Sequence, residues 1–410
     1  MPIPVRDFMR AMNRATILDA IRNAGLISRI DLARTTGFSQ SSVTGLTAEL
    51  IREQLIIEKK VGEYEGGRPP MLLSLNPDGA YVVGVNITFD TIVAVIINME
   101  AKVLAIQRTP IEKNRHSVAD IADSIVRAVQ ACIWEANFSK EQISGVGIGI
   151  PGLVDSDSGI IRFMPNYNWE NVNLRDLVQV QLKHPIYIEN SSNTLAIAEQ
   201  WLGEGKGVGN FLVITLENGV GLGIVIQGHL YRGQSGTAGE FGHITIDPGG
   251  PPCRCGKNGC VEAYAGNISI LRAARIAAQN GHWKPQNADI TYDDVLNSAR
   301  AGNACLIDIF KTAGQKLGLG ISHLITLFNP AKIIFTGKGV QAGALMFDSM
   351  DAEMKQHLSP KFGPSETQIV IKNWNEKDWA RGAGTLVLGE LYKSPVNQMT
   401  GLGKTMQPPE

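Results

Sequence analysis

GEFGHITIDPGGPPCRCGKNGCVE, residues 239–262, holds three of the chain's five cysteines as Cys253-x-Cys255-x4-Cys260, with His243 ten residues ahead of the first. Thiolates and an imidazole at such spacing are the ligand set of a closed tetrahedral zinc site. Gly256 and Gly259 let the backbone turn tightly enough for the thiolates to converge. The competing reading is buried or disulfide-bonded cysteines. A nearby histidine and the lack of secretory signs favour the metal: one structural Zn2+ per chain, held by His243, Cys253, Cys255 and Cys260. Two carboxylates, Glu240 and Glu262, flank the loop and would be held by it.

Around this loop the composition is that of a globular protein: 410 residues, 44% hydrophobic and 19% charged. That length gives two or three domains. A net charge of −1 argues against a uniformly basic nucleic-acid coat but allows a local DNA-binding module. The N-terminus lacks a signal-peptide core, and no run approaches the ~18–20 apolar residues of a spanning helix. Cys132 and Cys305 read as reduced core thiols. These features predict a cytoplasmic protein.

The N-terminal segment has its own grammar. Ile17, Leu18 and Ile21 make residues 11–24 an amphipathic helix ended by Gly25. Ser28 caps a short second helix to about Thr36, with Ile30, Leu32 and Ala33 expected to face inward. Gly37 turns the chain, and Ser39 caps a third helix over 40–53. Val43, Leu46 and Leu50 form its apolar face, leaving Ser39, Gln40, Ser41, Ser42, Thr44 and Thr47 to contact DNA. Two β runs with a Gly-Gly-Arg-Pro tip follow, a wing that would carry Arg68 to phosphate or the minor groove. This is the winged helix-turn-helix pattern. Residues 1–70 hold ten Lys/Arg against eight Asp/Glu, so the assignment rests on pattern more than on charge.

From residue 77 onward the pattern is α/β. Strands are expected at 81–87, 91–98 and 102–107, then a helix over 117–135 and strands at 146–150 and 185–189, with a helix from about 193. The second half repeats this: strands at 211–216 and 221–231, helices near 267–279 and 303–327, strands at 333–335 and 367–374, and a last helix over 377–392. Two α/β lobes around a cleft follow. The expected boundaries are 1–76 for the winged helix, 77–190 plus 375–393 for the first lobe, 191–374 for the second lobe with the metal loop and a dimerisation surface, and 394–410 for a disordered tail.

The Gly239-Glu240-Phe241-Gly242-His243 and Cys-x-Cys-Gly-x2-Gly-Cys-x-Glu motifs resemble those of the ROK family (repressors, open reading frames, kinases), in particular its repressor branch of the Mlc, NagC and XylR type. The resemblance runs from the winged helix to about residue 392. It implies an actin-like, duplicated ribonuclease-H-like ATPase fold and a sugar in the interlobe cleft, touched by Asn166, Asn190, Glu240, His243 and Glu262. The residues agree, since hydroxyl-rich ligands call for carboxylates and amides. The alternative is that the two acids are merely solvated charges.

At the catalytic positions the chain departs from the family's kinases. Their general base is the Asp of Glu-Asn-Asp-x-Asn; here the sequence is Glu189-Asn190-Ser191-Ser192-Asn193, and loss of a general base alone costs ~10²–10⁴ in rate. The first phosphate loop, Asp-x-Gly-Gly-Thr in kinases, has Asn86 in place of its Asp and Ile87 and Phe89 nearby. The second begins with Glu217, expected to repel phosphate, and the adenine-side glycines read Gly337-Lys338-Gly339. No catalytic residue is assigned. The sequence therefore predicts a sugar-responsive transcriptional repressor, not an enzyme, binding operator DNA as a homodimer or tetramer and released by a sugar or sugar phosphate. Control by a protein partner such as a sugar-transport component, and an active sugar kinase, are the alternatives.

Overall fold

The structure is a computed structural model that describes residues 5–60, 71–112, 116–362, 366–373 and 375–392. The wing tip with Arg68 and the tail 394–410 lie outside the described residues. The chain forms two compact units, one from the chain up to Leu202 together with the segment from Glu376, the other from Gly203 to Asn375.

The first unit opens with helix α1 (Val5–Ala24), strand β1 (Ile27–Ser28), helices α2 (Arg29–Thr36) and α3 (Gln40–Arg52), and strands β2 (Ile56–Lys60) and β3 (Met71–Leu75). Both expected caps form: Ser28 Oγ accepts from Asp31 N and Ser39 Oγ from Ser42 N, each at 3.1 Å. Gly37, left-handed at φ 72°, ends α2. The three strands pair antiparallel in the order β1-β3-β2. Ile17, Leu18, Ile21, Leu32, Val43, Leu50 and Leu73 fill the space beneath. That core is shared: Val82, Val95, Ile97 and Leu388 belong to the same cluster, so the N-terminal helices have no separate core.

Two expectations for these helices fail. Ile30 is 60% exposed, because Leu32, two positions along α2, is the residue that turns inward. Thr47 is fully buried, its hydroxyl donating to Val43 O at 2.8 Å and accepting from Arg29 Nε at 3.1 Å. It cannot belong to an exposed reading face.

Strands β4 (Tyr81–Ile87), β5 (Thr91–Asn98) and β6 (Val103–Pro110) then run antiparallel. Helix α4 (Val118–Glu135) leads to β7 (Ile143–Ile150), which pairs parallel to β4. A small sheet of β8 (Leu153–Asp155), β9 (Ile160–Met164) and β10 (Trp169–Val172), absent from the sequence reading, precedes helix α5 (Leu174–Leu182). β11 (Ile186–Asn190) completes the five-stranded order β11-β7-β4-β5-β6, and helix α6 (Ser191–Leu202) follows.

In the second unit β12 (Phe211–Leu216), β13 (Val220–Ile226) and β14 (His229–Leu230) are antiparallel. The single strand expected over 221–231 is broken at Gln227-Gly228, whose φ values of 51° and 74° make a two-residue hairpin turn. Helices α7 (Val261–Ala265), α8 (Asn267–Gln279), α9 (Tyr292–Arg300) and α10 (Ala304–Phe328) follow, then β15 (Lys332–Thr336), α11 (Ala344–His357) and β16 (Gln368–Ile371). The last strand is shorter than the expected 367–374, and Trp374 lies outside the described residues. The order β14-β13-β12-β15-β16 repeats that of the first sheet, with the same parallel and antiparallel pairs.

The chain returns to the first unit as α12 (Glu376–Tyr392), which lies on the first sheet where two strand glycines admit it. A Cβ on Gly84 or Gly147 would sit 1.9 Å from the carbonyl oxygen of Ala380 or Ala383. Helix α6, expected to open the second lobe, instead belongs with α12 in the first unit. Gly382 leaves room for the Thr194 carbonyl, and the Trp201 and Tyr392 rings stack. Among the described residues no helix is long and apolar enough to cross a membrane.

Candidate metal centre and its carboxylates

The residues from Glu240 to Glu262 form a compact loop in the second unit. Glu240 precedes a single 3-10 turn, Phe241–His243, and the chain then folds back on itself: Ile246 N donates to Gly259 O at 2.9 Å and Gly259 N to Pro251 O at 2.9 Å. Gly259 has φ +65°, and a Cβ there would lie 1.5 Å from the Asp247 carbonyl oxygen, so only glycine closes this loop. Cys253 N bonds Lys257 O at 2.8 Å across the turn that carries Cys255, and Cys260 caps the start of α7.

These turns bring the side chains of His243, Cys253, Cys255 and Cys260 together, with all four ligand atoms within 4.8 Å of one another. Cys255 and Cys260 sulfurs are 3.7 Å apart, and His243 Nδ1 is 3.5 Å from Cys253 Sγ. Tetrahedral bonds of about 2.3 Å to sulfur and about 2.0 Å to nitrogen require separations of roughly 3.8 and 3.5 Å. The donor set and its spacing therefore suit a tetrahedral metal ion. Crowding splits the thiols. Burial pushes Cys253 up to about 12 and raises Cys260, whereas for Cys255 hydrogen bonds from the Lys257 backbone and the other two cysteines outweigh burial and lower it. Burial also lowers His243, against the pull of Glu262, which favours the neutral imidazole that a metal needs.

With Nδ1 turned to the cysteines, His243 Nε2 lies 3.8 Å from Glu240 Oε2. Burial, then the charge of Glu262, raises the Glu240 carboxyl, although its side chain keeps 43% exposure. Glu262 is not a solvated charge: it is 4% exposed and held on three sides. Arg254 donates through Nε to Oε1 at 2.6 Å and through Nη2 to Oε2 at 3.1 Å, and Val220 N donates to Oε2 at 3.0 Å. Arg254 escaped the sequence reading. The one available signal was its place between two cysteines of the Cys/His cluster, eight residues before an acid. Gly219 makes room for the pair, since a Cβ there would fall 2.3 Å from both Arg254 Nη2 and Glu262 Oε2.

The remaining candidate residues sit in the first unit. Asn166 lies half-buried in the turn between β9 and β10, next to Tyr167, whose hydroxyl donates to the carbonyls of Thr88 and Phe89 at 3.2 Å. Asn190 ends β11. Its Oδ1 accepts from Ser192 N at 2.8 Å, capping α6, and its Nδ2 donates to Gly152 O at 2.8 Å, which leaves one amide hydrogen for a ligand. Ser191 is buried at the first position of α6. Asn86 Oδ1 is buried with no hydrogen-bond partner among the described residues.

In the second unit Glu217 Oε1 accepts from the backbone N–H of Lys338 at 2.8 Å. Lys338 Nζ is paired with Asp293 at 2.8 Å. At the N-terminus Ser39, Gln40, Ser41, Ser42 and Thr44 are exposed on the first turns of α3. Arg14, nearly buried, ties α1 to α3 through Glu49 and Glu53.

Known proteins place this arrangement. A xylose repressor of Bacillus subtilis (strain 168) is 30% identical over 388 residues, spanning 95% of this chain and 98% of that protein. The crystal structure of a ROK family transcriptional regulator, a homologue of the E. coli Mlc protein, superposes with a TM-score of 0.81 at 27% identity, covering 97% of this chain and 100% of that one. A ROK family glucokinase from Streptomyces griseus, solved with glucose and AMPPNP, gives a TM-score of 0.66 at 29% identity over 75% of this chain and 99% of its own. The family model described as ROK family matches residues 82–390. From the repeated strand order to the Cys/His loop, this chain belongs to the ROK family.

Proposed function

We propose that the protein is a sugar-responsive, DNA-binding transcriptional repressor built on a sugar-kinase scaffold that no longer transfers phosphate. One observation carries the reading: the exposed hydroxyl and amide face of α3 shares a chain with a kinase-like scaffold whose base position is Ser191. A hydroxyl cannot take a sugar's proton near neutral pH. Glu217 supports the same conclusion, because it puts a carboxylate at the start of the second phosphate loop and holds it there through the Lys338 backbone N–H.

In this reading α3 enters the major groove through Ser39, Gln40, Ser41, Ser42 and Thr44, and Arg68 on the wing reaches the backbone or the minor groove. Glu240, His243 Nε2 and Glu262, with Asn166 and Asn190, hold sugar hydroxyls. A zinc ion bound by His243, Cys253, Cys255 and Cys260 supplies no chemistry; it fixes the loop that aims the acids. The protein acts in the cytoplasm as a dimer on paired half-sites, and sugar favours the released state.

The test begins by selecting DNA from a random pool with the purified protein. The selected fragment is then titrated in the presence of xylose, glucose, N-acetylglucosamine and their phosphates. One of these should lower DNA affinity by at least about tenfold, within the usual range of coupling. Unchanged affinity with all of them sinks the sugar-responsive reading. ADP release with the same sugars would instead establish a kinase.

A further inference from the structure

Within the core that the N-terminal helices share with the rest of the first unit, an aromatic stack meets the end of α1. Arg22, in the last turn of α1, places its guanidinium carbon 4.0 Å from the centroid of the Trp201 ring and 5.8 Å from that of Tyr392. The two rings lie 5.0 Å apart and within 5° of parallel. All three side chains are largely withdrawn from water. Arg22 Nε and the Tyr392 hydroxyl are buried without hydrogen-bond partners among the described residues, and Asp19 sits 3.2 Å from Arg22 Nη2.

Stability alone does not account for this arginine. A buried guanidinium with an orphaned N–H is costly, and a methionine would fill the same space without that cost. What a cation over the Trp201 ring adds is direction: it fixes the end of α1 against that ring and the Tyr392 ring stacked on it.

Those rings stand at telling places in the chain. Trp201 is the penultimate residue of α6, and the chain leaves the first unit directly after Leu202. Tyr392 is the last residue of α12, the helix on which the chain returns. At its other end α6 starts at Ser191 and is capped by Asn190, a proposed sugar contact. The helix carries Trp201 eleven residues beyond Asn190, about 17 Å along a rigid rod.

We infer that Arg22 is the positioning residue through which sugar occupancy at Asn190 reaches the DNA-binding helices, by way of α6 and the Trp201–Tyr392 stack. This rests on the sugar-responsive reading above. A displacement of the α6 N-terminus tilts the rod, moves Trp201, and carries α1 with it through the guanidinium. Since Arg14 ties α1 to α3, the reading helix follows.

The experiment compares the wild-type chain with Arg22→Met, Tyr392→Leu and Tyr392→Phe, using the selected DNA fragment and whichever panel sugar lowers wild-type affinity. Arg22→Met and Tyr392→Leu should bind sugar, by calorimetry, and sugar-free DNA within about threefold of wild type. Their sugar-induced loss of DNA affinity should shrink from at least about tenfold to less than about threefold. Tyr392→Phe keeps the ring face and should keep the full response. A full response in Arg22→Met overturns the proposal, as does failure of that variant to bind DNA without sugar, which would make Arg22 a structural dock. A wild-type chain deaf to every sugar brings down the functional reading itself, and the relay with it.

Discussion

At the scale of single residues, the side chains with chemistry were easier to find in the sequence than the partners that hold them. The ligand quartet was plain from spacing, because cysteine and histidine are scarce and their roles few. Glu262 was recognised, but its clamp by Arg254 and Val220 N was not, since the clamp forms across a fold that no local pattern encodes. Cys255→Ser should reduce zinc from about one ion per chain to a small fraction, read by metal analysis, and abolish the sugar response. If the metal goes and the response stays, the loop does not aim the acids. Thr47 is the opposite case: a polar residue that reads as exposed on its helix is fully buried. Its hydroxyl is spent on Val43 O and Arg29. Thr47→Val should therefore lower stability by about 1 kcal/mol while leaving DNA affinity alone. Gln40→Ala should do the reverse, weakening operator binding by roughly 1–3 kcal/mol with an unchanged melting temperature. Parallel binding and melting curves separate the two.

At the scale of elements, periodicity located the longer strands of both sheets and the long helices to within a few residues, helped by β4, β5 and β12, which are buried on both faces and read as apolar runs. It missed β8, β9 and β10, three to five residues each with mixed burial, which draw their order from tertiary contacts. It also ran β13 into β14, since Gln-Gly is a weaker turn signal than Asn-Gly. Nor could it say why Gly147 must be glycine, because the reason is α12, more than two hundred residues away. Gly147→Ala drives a methyl into the Ala383 carbonyl and should destabilise the first unit by about 1–3 kcal/mol or more, measured by denaturant unfolding. Gly209, where a Cβ meets nothing within 4 Å, is the control, and its alanine variant should melt as wild type does.

At the scale of the whole molecule, the repeated strand order was visible as a repeated grammar, but the ownership of α6 was not: covalent order suggested the second lobe, and packing on α12 decided for the first. The departure from the family's kinases is also a property of the whole. Because Ser191, Asn86 and Glu217 lie in different segments, restoring the base alone should not restore catalysis. Ser191→Asp should release no more ADP from any panel sugar than wild type does, and a rate gain near the ~10²-fold of a restored base would contradict this. The interruption of the first unit by the second has a consequence for synthesis. The N-terminal helices share their core with α12, which is made after the whole of the second unit, so a nascent chain carries the second unit with its Cys/His loop before the first unit can finish folding. A polypeptide released early, ending at Asn375, should present its N-terminal helices as protease-sensitive chain and should not occupy an operator. The N-terminal helices thus finish folding only after the loop that carries Glu240 and Glu262 has already been made.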